Sequence, residues 1–404
     1  MKIAVINCGT IGSTGKIMFD IQKAGEEYGM DFLICSPALT KREQRNDYYQ
    51  IQTYTQRKIA VFFDTLFGVN GCFSYFATRK LIRKIKTFDP DIIHLHNLHG
   101  SFLNLKCFFS YLKNNNKKVV WTLHDCWSFT GRCPHFTSLN CNKWKTGCYD
   151  CAYPKKLYPR VLADGSKYMW GLKRKIFNSI ENLTFVTPSK WLADLVNNSF
   201  LKSHRVAVIN NGIDLSVFKP RTNRPDCLKR VSSNKFILLG VSFRWGKSKG
   251  LDVFVELSKR LPDNYQIVLV GTNVQIDSVL PENIISIHRT NNQTELSEIY
   301  SLADLFVDPT SEDNYPTVIM EALACGTPVL TYDTGGCSEM LNETCGSVVE
   351  CNDIYALEKE IIRICETKPY SRGNCLKKSR SFDKNICFSK YISLYNQIIE
   401  NNSL

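Results

Sequence analysis

Residues 311–339 read SEDNYPTVIMEALACGTPVLTYDTGGCSE. The acidic pair Glu312-Asp313 follows the apolar run LFVDPT and reads as the end of a strand. Asn314-Tyr315-Pro316 make a turn, and a helix opens at Pro316-Thr317-Val318. Gly326-Thr327-Pro328 closes it, an apolar strand follows, and Gly335-Gly336 turns the chain again. A helix set between two short buried strands predicts an α/β unit with a parallel sheet. The first amides of that helix and its positive dipole end suit a diphosphate. Glu321, eight positions after Asp313, can face the same cleft and accept hydrogen bonds from two ribose hydroxyls. The acid at the strand end can accept from sugar hydroxyls. The competing reading is a helix-capping acid and an ordinary surface glutamate.

The same alternation runs outward through the chain. KIAVIN, DFLICS, DIIHLH, KVVWTLH, LTFVTPS and RVAVIN read as buried strands, with helical stretches between several of them. After the turn-rich NNGIDLSVFKPRTNRPD the pattern restarts with KFILLGVS, YQIVLVG, IISIHR, LFVDPT and TPVLTYD. Two doubly wound Rossmann-like domains follow, 1–215 and 216–385. A terminal helix, 386–404, is expected to pack back toward the first domain. Ligands of such sheets bind beyond the carboxyl ends of the strands, so the expected site is the interdomain cleft.

A length of 404 residues favours two domains over one core. Hydrophobic content of 44% and aromatic content of 12% fit a globular chain. No run of about 20 uncharged apolar residues occurs and no signal-peptide pattern precedes the first strand, so a cytoplasmic protein is expected. In that compartment the 17 cysteines read as reduced thiols, most of them small buried hydrophobes. Residues 1–215 hold 30 Lys and Arg against 15 Asp and Glu, and residues 216–404 hold 21 against 23. The basic half suits an anionic membrane or a phosphate-bearing substrate. No zinc finger, RNA-binding signature or helix-turn-helix accompanies it, so no nucleic-acid partner is expected. Residues 60–86, AVFFDTLFGVNGCFSYFATRKLIRKIK, join an aromatic first part to a basic end. They read either as a core-packed helix pair or as a lip lying peripherally on the inner face of an anionic plasma membrane.

Near the start stands GTIGSTGKI, residues 9–17. A nucleotide P-loop needs a glycine five positions before Gly15, where Thr10 stands, and a hydroxyl where Ile17 stands. A dinucleotide fingerprint needs G-x-G, and Gly9, Gly12 and Gly15 do not supply it. What remains is a strand, a flexible turn and a helix N-terminus near Gly15 that can receive an anion or a sugar.

The 311–339 stretch resembles the acid-x7-Glu element of the family 4 glycosyltransferases, retaining enzymes of the GT-B fold that use nucleotide sugars. Its EDNYP form, with Asp313 as the first acid in register, looks like the branch that builds capsule, lipopolysaccharide and colanic-acid-type polysaccharides. GVSFRWGKSKGLDVFVELSKRL is similar to the family's first strand-loop-helix of the second domain. By that resemblance Arg244 and Lys249 contact the donor diphosphate, and two cations can stabilise a leaving nucleotide diphosphate with no catalytic cofactor. The resemblance places Gly271 and the segment His288 to Asn291, with Arg289, around the base, and leaves His288 structural. It makes Glu312, Asp313, Asn314, Tyr315, Pro316, Thr317, Val318 and Glu321 donor-binding, and Gly12, Ser13 and Gly15 cleft residues facing the donor. WTLHDCWSFTG looks like the family's strand-end His-Asp, which makes His124 the active-site histidine. His94 and His96 share one strand face and His99 falls beyond the strand. They read as acceptor-side hydroxyl contacts or as structural hydrogen bonds, with metal the weaker alternative.

Within the loop 126–151, Cys133, Cys141, Cys148 and Cys151 end in a C-x-x-C. Four thiols in a loop poor in apolar residues suit a structural zinc, with reduced thiols or disulfides as the alternatives. The expected activity is transfer of a hexosyl unit from a UDP- or GDP-sugar to a hydroxyl of a lipid-linked glycan. The rivals are a nucleotide-sugar epimerase or phosphorylase on the same fold, a non-catalytic nucleotide-sugar-binding partner of a synthase complex, and a zinc-dependent RNA-binding protein.

Overall fold

A computed structural model describes residues 1–37, 47–151, 161–229 and 231–400. The chain forms two compact units, Met1–Asn210 with Phe388–Leu404, and Asn211–Cys387. It enters the second unit at Asn211 and returns to the first at Phe388. Residues 211–215, read above as the end of the first domain, belong to the second. Ile213 N–H donates to the Phe382 carbonyl at 2.8 Å, and Lys384 pairs with Asp214 at 2.6 Å. The last four residues of the expected terminal helix lie outside the described ones.

Among the described residues the first unit holds seven parallel strands: β1 (Lys2–Ile6), β2 (Asp31–Ser36), β3 (Tyr48–Gln50), β4 (Ile92–Leu95), β5 (Lys118–Thr122), β6 (Leu183–Thr187) and β7 (Arg205–Val208). Their order is β3-β2-β1-β4-β5-β6-β7. β4 and β6 are buried along their whole length, which is why they read as unbroken apolar runs. Helices pack on the sheet through one stripe. Tyr75–Phe88 buries Ala77, Thr78, Leu81, Ile82 and Ile85, the spacing of a single helical face.

The second unit holds β8 (Phe236–Val241), β9 (Tyr265–Val270), β10 (Ile284–Ile287), β11 (Leu305–Asp308), β12 (Val329–Tyr332) and β13 (Gly346–Val349). Their order is β10-β9-β8-β11-β12-β13, again parallel. Chain direction across each sheet reverses once, between β1 and β4 and between β8 and β11. Crevices at such switch points, beyond the carboxyl strand ends, are where open α/β sheets bind ligands.

The helix Lys384–Glu400 contributes its later turns to the first unit. Tyr391 and Tyr395 are buried there. Tyr395 Oη lies 2.7 Å from His94 Nδ1, and Tyr391 Oη lies 3.1 Å from Thr122 Oγ1.

Candidate active site

In the second unit the site grows from the loops after β8 and β11. Trp245 is buried and its indole N–H donates to the Val270 carbonyl at 2.9 Å, which leaves Phe243 and Arg244 exposed at the strand end. Gly271, at φ +89°, passes so close to the Ser242 carbonyl that a Cβ would sit 1.8 Å from it. Gly271 therefore shapes this loop by having no side chain. The turn Lys247–Lys249 is stitched to the loop after β11, since Ser311 N–H and Thr310 Oγ1 each donate to the Ser248 carbonyl at 3.0 Å.

That stitching points Lys249 into the β11 loop. Its ammonium pairs with the Asp313 carboxylate and donates to the Glu312 carbonyl at 3.4 Å. Beneath it lies Asp308, buried, with Oδ2 lacking any hydrogen-bond partner. Burial pushes the Asp308 carboxyl up to about 7; Lys249 pulls against this and Asp313 adds to it. Burial lowers Lys249, but Asp313 and Asp308 more than offset that, so its pKa is raised and it stays cationic.

The acids Glu312 and Asp313, expected at the strand end, lie in the loop beyond β11, which stops at Asp308. It is the Asp313 side chain that meets Lys249, while Glu312 meets it through its backbone. Gly335 holds this loop in place: at φ +58° a Cβ would meet the Asp313 carbonyl at 1.9 Å. Gly336 N–H donates to the Asn314 carbonyl at 2.8 Å. Asn314, Tyr315 and Pro316 are buried, and the helix Thr317–Ala324 starts with no side-chain cap from Pro316. Thr317 and Val318 open this helix half-buried. Glu321, one turn in, accepts from the buried Tyr300 Oη at 3.1 Å. Arg289 is exposed just past β10, and His288 pairs on the surface with Asp277 at 2.5 Å.

In the first unit the corresponding crevice lies at the ends of β1 and β4. The helix Gly12–Glu27 begins with Gly12 and Ser13 exposed, Gly12 at φ +82°. Gly15 is buried, and a Cβ there would lie 2.4 Å from the Thr10 backbone. The absence of a side chain is what lets the turn pack this closely.

The histidines divide. His94 is wholly buried, with Nε2 at 2.8 Å from Thr122 Oγ1 and Nδ1 bonded to Tyr395. Both nitrogens are committed inside the unit, so it anchors the terminal helix and does not face acceptor. Burial pulls it down to about 3, so it is neutral. His96 is also buried, with Nδ1 at 2.9 Å from His124 Nε2. His124 is partly exposed, and burial lowers it to about 4. His99 Nε2 lies 3.0 Å from Asp125 Oδ2 at the edge of a cavity. Burial pushes Asp125 up, but His99, His135 and the Trp127 amide outweigh this and hold it at about 2.

Residues 18–217 match the family described as Glycosyltransferase Family 4, and residues 228–386 match Glycosyl transferases group 1. The chain belongs to the family 4 glycosyltransferases. It is 29% identical to the protein named colanic acid biosynthesis glycosyl transferase WcaC of Escherichia coli K12, over 77% of each chain. It is 25% identical, over 64% of its own length and 73% of the relative's, to N,N'-diacetylbacillosaminyl-diphospho-undecaprenol alpha-1,3-N-acetylgalactosaminyltransferase of Campylobacter jejuni. Among solved structures, sucrose-phosphate synthase of Thermosynechococcus elongatus matches with TM-score 0.73 and 18% identity over 99% of each chain. Anabaena HepE in complex with UDP-glucose matches with TM-score 0.65 and 15% identity, covering 100% of this chain and 99% of that one. These likenesses establish the GT-B fold.

The glycosyltransferase carries two features its sequence did not signal. Asp308 sits under Lys249, and the VDPT run gave its acid no distinguishing pattern. Lys173, wholly buried, donates to the Trp127 carbonyl at 2.6 Å and the Thr130 carbonyl at 3.1 Å, fixing the loop after Asp125. Burial lowers it to about 7, against the pull of Cys133 and its neighbours.

Of the readings of the cysteine loop, the described residues give no support to structural zinc. Among the described residues no group of three or more His, Cys, Asp or Glu is arranged to hold a metal ion. Cys133, Cys141 and Cys148 pack instead against the hydrophobic core, and Cys148 Sγ accepts the Gly131 N–H at 3.1 Å. Burial, then Cys148 and Cys151, push the Cys133 thiol up to about 12. The loop also has its own apolar anchor, which the sequence reading missed: Phe129 and Phe136 pack on the buried Trp144 at 5.3 and 5.2 Å. All 17 cysteines are free.

Proposed function

We propose that this glycosyltransferase moves a hexosyl unit from a UDP- or GDP-sugar to a hydroxyl of a lipid-linked glycan in surface polysaccharide assembly, with retention at the anomeric carbon. The observation that carries the reading is the pairing of Lys249 with Asp313 at the switch point of the second sheet, over buried Asp308. The pair leads directly into the helix Thr317–Ala324, whose Glu321 is fixed by Tyr300. A cation, a helix start and an anchored carboxylate match the diphosphate and ribose of a nucleotide sugar. Two relatives support the acceptor class through their names, one a colanic acid biosynthesis enzyme and one acting on a diphospho-undecaprenol glycan. HepE was solved with UDP-glucose.

In this mechanism the bond from C1 to the donor phosphate breaks as positive charge develops on the ring. Arg244, Lys249 and the helix amides take up the negative charge of the departing diphosphate. The acceptor oxygen joins C1 on the same face, and its proton passes to the leaving phosphate oxygen. No side chain serves as nucleophile.

Peripheral membrane attachment belongs to the same reading. No helix among the described residues is long and apolar enough to cross a membrane. Phe62, Phe67 and Phe76 are nevertheless 62%, 52% and 80% exposed, with Arg79, Lys80, Arg83 and Lys84 exposed on the following helix. An aromatic face beside cations fits an anionic bilayer.

The test is a thermal-shift titration with UDP, GDP, TDP, CDP and ADP. A rise with one diphosphate, absent in Lys249→Ala, is expected. No rise with any of them, or an equal rise in Lys249→Ala, overturns the donor assignment.

A further inference from the structure

The first unit contains a cavity of about 150 Å³ that no motif marks. A buried water needs roughly 10–15 Å³ of the same measure, so the space admits about ten waters or one hexose ring. Arg57, Asp64, Asn70, His99, Trp127 and Arg132 line it.

Its lining is unbalanced in a specific way. Asp64 is 5% exposed, and its Oδ1 has no hydrogen-bond partner. Asn70 Oδ1 is likewise buried without a partner. The Asn70 amide nitrogen is already committed, to Asp64 Oδ2 at 3.3 Å and Ser101 Oγ at 3.4 Å. Two adjacent buried acceptors therefore ask for O–H donors, since an unmet buried acceptor costs about 1–3 kcal/mol. Two guanidinium groups line the same cavity: Arg57, and Arg132, which lies 3.9 Å from Asp164, and a guanidinium fork can hold an added anion. The Trp127 indole, fixed by Lys173 at its carbonyl and over its ring at 3.5 Å, gives the cavity a rigid apolar wall.

We propose that this cavity binds a glycosyl phosphate: sugar hydroxyls on Asp64 and Asn70, the ring against Trp127, and the phosphate on Arg57 and Arg132. In the transfer reaction this is the acceptor's sugar at its phosphate link, an assignment that rests on the transferase reading above. The helix Tyr54–Phe67 joins the two ends of such an acceptor. Arg57, Val61 and Asp64 recur at four and three positions and line the cavity, while Phe62 and Phe63 stand exposed away from that face and Phe67 is exposed at the helix end. A phosphate held by one face of this helix thus lies one helix width from the face suited to lipid.

The test is calorimetric titration of the full chain with the 1-phosphates of glucose, galactose and N-acetylglucosamine. Free hexoses and inorganic phosphate serve as controls. At least one hexose 1-phosphate is expected to bind more tightly than both of its parts. Asp64→Ala and Arg57→Ala are each expected to weaken it about tenfold, the worth of one charge-assisted contact. Binding of the nucleoside diphosphate is expected to stay within about twofold of wild type in both variants, which separates this cavity from the donor site. No binding of any hexose 1-phosphate, or binding unchanged in both variants, overturns the proposal. Loss of nucleoside-diphosphate binding by the wild type would strike the transferase reading and leave the cavity to be judged by its own titration. Arg57 is half-buried on a surface helix, so Arg57→Ala keeps the test alive if Asp64→Ala fails to fold.

Discussion

Lys249 stands between two acids of different character. Asp313 is partly exposed and paired with it, whereas Asp308 is buried beneath and its pKa is pushed up by that burial. Lys249→Ala removes the positive charge proposed to meet the diphosphate and leaves Asp313 and Asp308 without their cation. The expected loss of transfer is about 10²–10³-fold in kcat, the scale of removing one preorganised charge-stabilising donor. A transfer assay with circular dichroism as the fold control checks it, and near-normal turnover would remove Lys249 from the site. Asp64 gives a residue-scale prediction on stability. Burial raises its folded pKa from 3.8 to about 7. A raised carboxyl favours folding while protonated, so its contribution is full below about pH 4 and is lost as pH rises through 7. Asp64→Asn removes that dependence. Its melting temperature relative to wild type should therefore climb by a few degrees between pH 4 and pH 8, at roughly 2–4 °C per kcal/mol. Parallel curves across that range would contradict a burial-raised carboxyl at Asp64.

The sequence marked Lys249, Asp313 and Glu321 because each sits in a patterned run. It could not mark Asp308 or Asp64. Nothing in a single chain tells which carboxylate is covered by other elements, and both are set apart by burial alone.

The helix Tyr54–Phe67 illustrates the element scale. Thr53 and Gln56 close a capping box at its start, and Gly68 at φ +63° ends it. Only Ala60 and Asp64 are buried along it. Its aromatic residues read equally well as core or as lip, and the tertiary structure leaves them outside, where Phe63 and Phe67 stack at 6.4 Å and Phe63 meets Phe73 at 5.3 Å. A triple change Phe62→Ala, Phe63→Ala, Phe67→Ala is expected to cut binding to vesicles with anionic lipid by at least about tenfold, since each removed aromatic forfeits about 1 kcal/mol or more of burial. Sedimentation with anionic and with purely zwitterionic vesicles reads this, and unchanged binding would free this face from any lipid role. The terminal helix supplies a second case. Tyr395→Phe leaves His94 Nδ1 unpaired in the core and should cost about 1–3 kcal/mol in denaturant unfolding. No measurable change would mean that the buried ring finds another donor.

At the scale of the whole molecule the chain passes from the first unit to the second and back. The buried faces of Tyr391 and Tyr395 belong to a core built mainly from residues before 211. Expressed alone, 1–210 is expected to be destabilised or aggregated, and adding 388–400 through a flexible linker is expected to restore a cooperative transition. Equal melting of both forms would show that the terminal helix is dispensable.

Eleven of the strands stood in the sequence as short apolar runs, most of them because strands of a parallel sheet covered on both faces must be apolar throughout; the edge strand β7 is apolar though only partly buried. β3 and β13 did not, being three and four residues long at sheet edges, where little burial is demanded. The sequence by itself determined the alternation of strand and helix, the restart after the turn-rich stretch, and the loops at the carboxyl ends of β8 and β11. These are local patterns, set by periodicity and turn residues within a few positions. Only the tertiary structure decided which histidines are core and which line a cavity, that the cysteine loop rests on Trp144 with no metal cluster among the described residues, and which acids are buried. Those properties depend on residues distant in the chain, such as Tyr395 meeting His94 across 301 positions, and burial is a property of the packed whole.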